Sequence, residues 1–249
     1  TLNAGLRWDF DRTPAYLNYQ TPASVLTAIS AAKYPNLVKT DYNINDYIST
    51  GRERRTFKGA FQPRIGFSYK LDEQGRFTLF GGYGRSYDRT QFDFIQTEIS
   101  TGSYTTRTIN FLVPGDTRNN CKASATCVAW DQKYLTAAGR ASLINAIGPL
   151  GGAEIRMLNN DLKVPYADQF SLGLRSRLKL LELEVGYNRV LSRDGFLTLL
   201  GNRRPDGSFF APNTTEGAPF SATPPGRGSL ILGTNGLKQN SDTVYFKLV

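Results

Sequence analysis

The sequence predicts an all-β chain, an antiparallel transmembrane β-barrel segment of about six strands whose long loops hold short helices. Three observations predict it. The composition favours strands and turns, several short segments alternate apolar and polar residues, and the connections between those segments alternate long and short.

Among 249 residues there are 24 Gly, 15 Phe and 13 Tyr against one Met and no His, a balance that suits strands, turns and aromatic surfaces over packed helices. The mean hydropathy is negative and no apolar run reaches the roughly 18 residues of a spanning helix. Spanning strands remain open, because each shows apolar groups on one face only.

The first strand, residues 1–10, sets Leu2, Ala4, Leu6, Trp8 and Phe10 against Asn3, Gly5, Arg7 and Asp9. The second sets Phe61, Pro63, Ile65, Phe67, Tyr69 and Leu71 against Gln62, Arg64, Gly66, Ser68 and Lys70, and the turn Asp72-Glu73-Gln74-Gly75 follows at once. A third runs from Phe77 to about Tyr87 with Leu79 and Tyr83 on the apolar side. Its glycines at 81, 82 and 84 loosen the pattern, and Phe80 falls on the opposite side. The fourth, Tyr166 to Leu178, opposes Phe170, Leu172, Leu174 and Leu178 to Gln169, Ser171, Gly173, Arg175 and Arg177. In the fifth, from Leu181 to about Leu191, Leu183, Val185 and Tyr187 face away from Glu182, Glu184 and Asn188. The sixth, from about Asp242, opposes Val244, Phe246 and Leu248 to Thr243, Tyr245 and Lys247.

The connections run long (11–60), short (72–76), long (88–165), short (near 179) and long (192–241). Outer-membrane barrels alternate extracellular loops with periplasmic turns in this way, and a soluble sandwich has no reason to sort its loops by parity. With short turns periplasmic, the first, third and fifth strands run outward. The first loop holds a helix candidate after Thr21-Pro22, with Val25, Leu26 and Ile29 at helical spacing. The second holds another near Ala141 to Ile147, closed by Gly148-Pro149, while the third is rich in Pro and Gly and reads as irregular.

The net charge of +9 comes from scattered residues, so nucleic acid is not the expected partner. The densest group, Arg52-Glu53-Arg54-Arg55, reads as a solvated loop or a contact with anionic lipid head groups. Cys121 and Cys127 stand close together in a polar stretch with no His to complete a metal set, so a local disulfide in an oxidising compartment is expected. Thr1 and the alternating run that stops at Val249 read as the ends of a fragment.

Three segments carry a family resemblance: LNAGLRWD, FQPRIGFSYKLDEQGRFTLFGGYGRSYD, and PYADQFSLGLRSRLKLLELEVGYNRVLS. Gly5, Leu6, Arg7, Trp8 and Asp9 match the first, Pro63, Arg64, Gly66, Gly82, Tyr83 and Gly84 the second, and Pro165, Gln169, Gly186 and Tyr187 the third. Together they resemble the barrel of TonB-dependent receptors, in the Oar-like branch. The resemblance implies a barrel of about 22 strands, an N-terminal plug inside it, and uptake driven by the TonB system through a short box near the N-terminus. Residues 1–249 would then be part of one such barrel domain, with plug, box and remaining strands outside this sequence.

Catalytic chemistry is not expected. Without His there is no Ser-His-Asp arrangement, and Glu182 and Glu184 share one strand face instead of flanking a substrate. Asp41 to Asp46 lacks the turn Gly and closing Glu of a calcium loop, and the glycines at 81, 82 and 84 lie inside a strand where a phosphate loop needs a following helix. No cofactor or metal is expected. The expected lumen face, open to the plug or a ligand, is Asn3, Arg7, Asp9, Arg64, Ser68, Lys70, Arg175, Glu182 and Glu184. Trp8, Phe10, Tyr69, Tyr83 and Tyr187 form the expected girdle at the lipid interfaces. Expected partners are outer-membrane lipid, the TonB system, the plug, and a substrate for which glycan or peptide would suit the aromatic loops. Two other readings stand beside this one, a soluble secreted β-sandwich binding module and an adhesin or structural barrel without transport.

Overall fold

The computed structural model describes residues 1–29, 40–89, 92–103, 109–112, 115, 127–147, 154–178, 181–201, 206–208 and 229–248. In chain order they hold β1 (Leu2–Asp9), α1 (Pro14–Leu17), α2 (Ala23–Ile29), β2 (Ala60–Lys70), β3 (Phe77–Tyr87), α3 (Phe92–Ser103), β4 (Asn110–Leu112), β5 (Cys127–Ala129), α4 (Ala137–Ile147), β6 (Ile155–Leu158), β7 (Tyr166–Leu178), β8 (Leu181–Leu200) and β9 (Leu230–Leu248).

One seven-stranded sheet runs β1-β2-β3-β7-β8-β9-β6. Its first six strands are antiparallel neighbours, and β6 joins the far edge parallel to β9. The register puts like with like: Trp8 opposite Phe61, Ile65 opposite Tyr83, Leu79 opposite Leu174, and Val185 opposite Phe246. A one-residue slip would turn every apolar side chain to the polar side, so the alternation holds this register. The apolar face has no protein cover: Leu6 is 69% exposed and Phe246 72%. In water such a face would be a large liability, whereas against lipid it is the required surface.

The β2–β3 turn closes as the sequence indicates. Gly75 takes φ +67, and Asp72 accepts bonds from the Phe77 N–H (2.8 Å) and Arg76 Nε (3.0 Å). These bonds, the Phe77 N–H foremost, hold the Asp72 carboxyl below its usual range. Phe80, out of phase in the sequence, lies on the polar face over Gly173, where an added Cβ would run into its ring. Tyr245 covers Gly186 in the same way. Gly173 and Gly186 are opposite each other, so two glycines give room to two rings.

Several expectations are corrected. The fifth and sixth strands are far longer than expected, 20 and 19 residues, so the third loop covers 201–229 and not 192–241. The cause is a bulge: the register shifts between Ser192 and Phe196, where Asp194 has φ 54, and the alternation changes phase there. About 9–11 residues cross a membrane, so the upper parts of β8 and β9 stand above it. The second loop also holds α3, β4, β5 and β6, none of which the sequence reading contained. The expected helices are present as α2 and as α4, which begins four residues earlier, at Ala137. The expected Cys121–Cys127 bridge falls on Cys121, which lies outside the described residues.

The loops pack into a body with its own core. Val25, Ala28 and Ile29 of α2 and Tyr47 bury against Ile155 and Met157 of β6 and Leu230 and Leu232 of β9. A second cluster joins Tyr16, Ile95 and Leu158, with Phe94 stacked on Phe196 at 3.9 Å between ring centres.

Candidate ligand site beneath the loop body

A buried ion pair fixes the loops that roof the site. Arg54 and Glu98 have fully buried side chains and share two hydrogen bonds of 2.7 Å, Nη1 to Oε2 and Nη2 to Oε1. Arg54 also donates from Nε to Asn160 Oδ1 (3.0 Å) and from Nη2 to the Leu158 carbonyl (3.0 Å), and its guanidinium lies 4.4 Å from the Tyr16 ring centre. Glu98 in turn accepts the Leu158 N–H at 2.7 Å. Burial pushes the Glu98 carboxyl upward against the opposing pull of Arg54, and burial raises the Tyr16 phenol to about 12. Expected as part of a solvated or lipid-bound cluster, Arg54 is instead 4% exposed and ties the first loop to the second. Its neighbour Glu53 caps a turn, accepting the Thr50 N–H (2.7 Å) and hydroxyl (2.6 Å), bonds that lower its carboxyl to about 2.

Below this roof is a cavity of about 730 Å³ between the loops and the polar face of β1, β2 and β3. Arg7, Asp9, Gln62 and Arg64 project into it from the strands, and Arg55, Phe57, Arg89, Phe92, Phe94, Lys163 and Phe196 line it from the loops and upper wall. Arg7 is committed to Asp9 (2.7 Å), which also accepts Gln62 Nε2 at 2.6 Å. Asp88 accepts the Arg89 N–H at 2.8 Å. Arg55, Arg64, Arg89 and Lys163 have no ion pair among the described residues, and with Arg7 they outnumber the lining carboxylates Asp9, Asp11 and Asp88, so the cavity joins an excess of positive charge to aromatic walls. Such a site suits a ligand with an anionic group and an apolar body.

The structure distributes the expected lumen residues over two places. Arg7, Asp9 and Arg64 meet at this cavity, with Asn3 and Ser68 lower on the same strands. Arg175, Glu182 and Glu184 gather at the short-turn end, where Arg175 bonds Glu184 at 2.6 Å and Glu184 accepts the Tyr245 hydroxyl at 2.9 Å. Lys70, at the end of β2, pairs with Thr78, beside Arg175. On the apolar face Trp8 packs between Phe10 and Phe61 and donates to the Lys58 carbonyl at 3.0 Å. Tyr83 packs on Phe170 at 4.9 Å, Tyr187 bonds Asp242, and Tyr69 sits at the opposite end of its strand.

Sequence reasoning missed Glu98, Arg89, Lys163 and the loop phenylalanines. One signal was present: Phe92, Ile95 and Ile99 repeat at helical spacing, and Glu98 interrupts that stripe as an acid where an apolar residue belongs. Among the described residues no group of His, Cys, Asp and Glu could hold a metal, and Asp41 to Asp46 forms a tight turn in which Asn43 Oδ1 accepts the Asn45 N–H at 3.1 Å.

A family model described as "Outer membrane beta barrel domain" matches residues 1–234. No curated protein matches. Among solved structures, the siderophore receptor PirA from Pseudomonas aeruginosa is 14% identical at a TM-score of 0.37, over 79% of this chain and 25% of its own. The outer membrane transporter YddB from Escherichia coli is 13% identical at 0.38, over 79% and 18%. The Serratia marcescens hemophore receptor HasR, solved with its hemophore HasA and heme, is 10% identical at 0.32, over 100% and 26%. This chain thus spans about a quarter or less of each of them.

Proposed function

This chain belongs to the outer membrane beta-barrel domain family, and from that premise we propose that it is wall and mouth of a TonB-dependent uptake receptor of the Oar-like branch. In this reading β1, β2, β3, β7, β8 and β9 are six strands of a barrel of about 22, residues 1–249 lie in one such domain, and a plug and TonB box belong to the whole protein. Asn3, Arg7, Asp9, Arg64, Ser68, Lys70, Arg175, Glu182 and Glu184 face the lumen; Trp8, Phe10, Tyr69, Tyr83 and Tyr187 form the lipid girdle. The short turns are periplasmic and the loop body is extracellular. A Cys121–Cys127 disulfide stiffens the second loop in that oxidising space.

The observation that carries the proposal is the aromatic cavity, with four cations that have no ion pair among the described residues, which opens on the polar face of the wall and is roofed by interlocked loops. A lumen-side site under a fixed roof can hold a scarce solute until an energised step releases it inward. The cations favour a substrate with an acidic group, and the aromatic walls suit a glycan acid or a peptide carboxylate.

The test is depletion of solutes from the growth medium by cells that carry the full-length receptor, compared with cells lacking it or lacking TonB. Both losses should spare the same solute. Arg64→Glu with Lys163→Glu should abolish its depletion while the folded receptor remains in the outer membrane. A solute taken up equally without TonB, or unaffected by the charge reversals, would overturn the reading.

A further inference from the structure

We infer that Asn235 is a positioning residue of the cavity: its side chain fixes the backbone at Lys163 and so sets where one of the four cations without an ion pair stands. The inference rests on the anion-binding reading of that cavity given above. The carboxamide bonds both backbone groups of Lys163, with Oδ1 accepting the Lys163 N–H at 2.7 Å and Nδ2 donating to the Lys163 carbonyl at 3.0 Å. One side-chain amide thus does for Lys163 what a neighbouring strand would do. Nδ2 also donates to the Asp194 carbonyl. The connection between β6 and β7, the bulge of β8, and β9 therefore meet on a single group.

Each part of this clamp has a local cause. The pairing of β8 with β9 skips Asp194 on one strand and Gly236 on the other. Asp194, with φ 54, is the one non-Gly residue with positive φ among the described residues, in the left-handed region that Asp tolerates better than most. Its carbonyl, skipped by the ladder, goes to Asn235. Just past the bulge Phe196 stacks on Phe94, and Phe196, Lys163 and Asn235 all line the cavity. The two ends of the connection are held by other groups: the Asn159 N–H donates to the Gly233 carbonyl at 2.9 Å, and the Asp88 N–H to the Pro165 carbonyl at 2.9 Å. Between those anchors Asn235 holds the residue that carries the charge. A long lysine side chain on a fixed backbone has less freedom to lose when an anion arrives, which is how a bond remote from the ligand favours binding.

The test uses the full-length protein in detergent and two probes: pyridoxal phosphate, an aromatic aldehyde with an anionic group, and pyridoxal, which lacks the phosphate. A lysine Nζ adds to either aldehyde with loss of water, and borohydride reduces the imine, so peptide mass spectrometry can compare label at Lys163 with label at Lys133. The reference lysine is exposed, and its charge is balanced by Asp131 at 2.9 Å. In wild type the Lys163 to Lys133 ratio should be about tenfold higher with pyridoxal phosphate than with pyridoxal, because a cationic cleft concentrates the anion. Asn235→Ala should erase that preference. Asn235→Leu, which keeps the side-chain volume without its bonds, should erase it too and preserves the comparison if the smaller variant does not fold. Asn240→Ala removes another carboxamide of β9, one that accepts Arg193 Nη1 at 2.9 Å, and should leave the preference unchanged. A wild-type preference that survives both Asn235 substitutions, or that Asn240→Ala also erases, overturns the inference alone. Failure of both Asn235 variants to fold would make the residue part of the scaffold and overturn it equally. Absence of the preference in wild type overturns the anion-site reading and the inference together.

Discussion

Arg54 Nη2 and Glu98 Oε1 stand 2.7 Å apart with no solvent contact on either side chain, and they join two loops 44 residues apart in the chain. The Leu158 N–H and carbonyl complete the network, so β6 is held by the same pair. Removing one partner strands the other as a buried charge. Glu98→Ala should therefore destabilise the loop body by about 3–5 kcal/mol. Proteolysis of the folded protein should become rapid between residues 40 and 60, and a double Arg54→Met, Glu98→Leu variant should recover much of the protection. Equal sensitivity of single and double variants would count against this account.

Acid should open a different contact. The Glu53 carboxyl, free at 4.5, is lowered to about 2 by the Thr50 and Arg52 donors. A depressed carboxyl stabilises the folded loop above the free value, and that contribution disappears as pH falls from 4.5 towards 2. The protection of the Thr50 and Arg52 amides, measured against the exchange rate of an unstructured chain at the same pH, should fall across this window in wild type. In Glu53→Gln that protection should be low and independent of pH across the same window.

The two ring-covered glycines make a reciprocal prediction. Gly173→Ala puts a Cβ against the Phe80 ring, closer than any real contact, so the ring must move. A cost of about 1–3 kcal/mol is expected. Phe80→Ala should relieve it when combined with Gly173→Ala, and should relieve nothing when combined with Gly186→Ala, whose obstacle is Tyr245. Denaturant unfolding of the full-length protein in detergent reads both combinations.

The lipid-facing surface can be probed at Leu172, which is 52% exposed in the middle of the apolar face of β7. Leu172→Arg should destabilise by about 2–4 kcal/mol in lipid. Ser171→Arg, one residue away on the polar face, should be near neutral. Similar costs at both sites would mean that the two faces do not see different solvents.

Much of this fold was legible because one physical cause wrote it. Lipid on one side and water on the other force a two-residue period, and β2, β3 and β7 could be placed within a residue or two from that period alone. Where β8 and β9 leave the membrane that cause ends, and with it the pattern: Gly233, Thr234 and Asn235 pair as regularly as Val244 and Phe246 do without alternating. The loop body was hidden for another reason. Its core joins α2, β6 and the start of β9, segments far apart in the chain, and no local period records that meeting. Arg54 shows the limit most plainly, since nothing beside it in the sequence says that its partner is Glu98.

The strand β6 runs along the outer edge of β9 only at Leu230 to Gly233, and the Asn159 N–H adds a last bond to the Gly233 carbonyl. That short parallel piece acts as a stopper on a zip. A strand arriving at β9 from that side would find unclaimed donors and acceptors only from about Thr234 downward, roughly 13 Å below Leu230 at the usual rise. The seam at this edge would begin stepped, with the loop body seated on the step. Those four residues of β9 are already paired, so that stretch of its rim offers no open edge to a second copy.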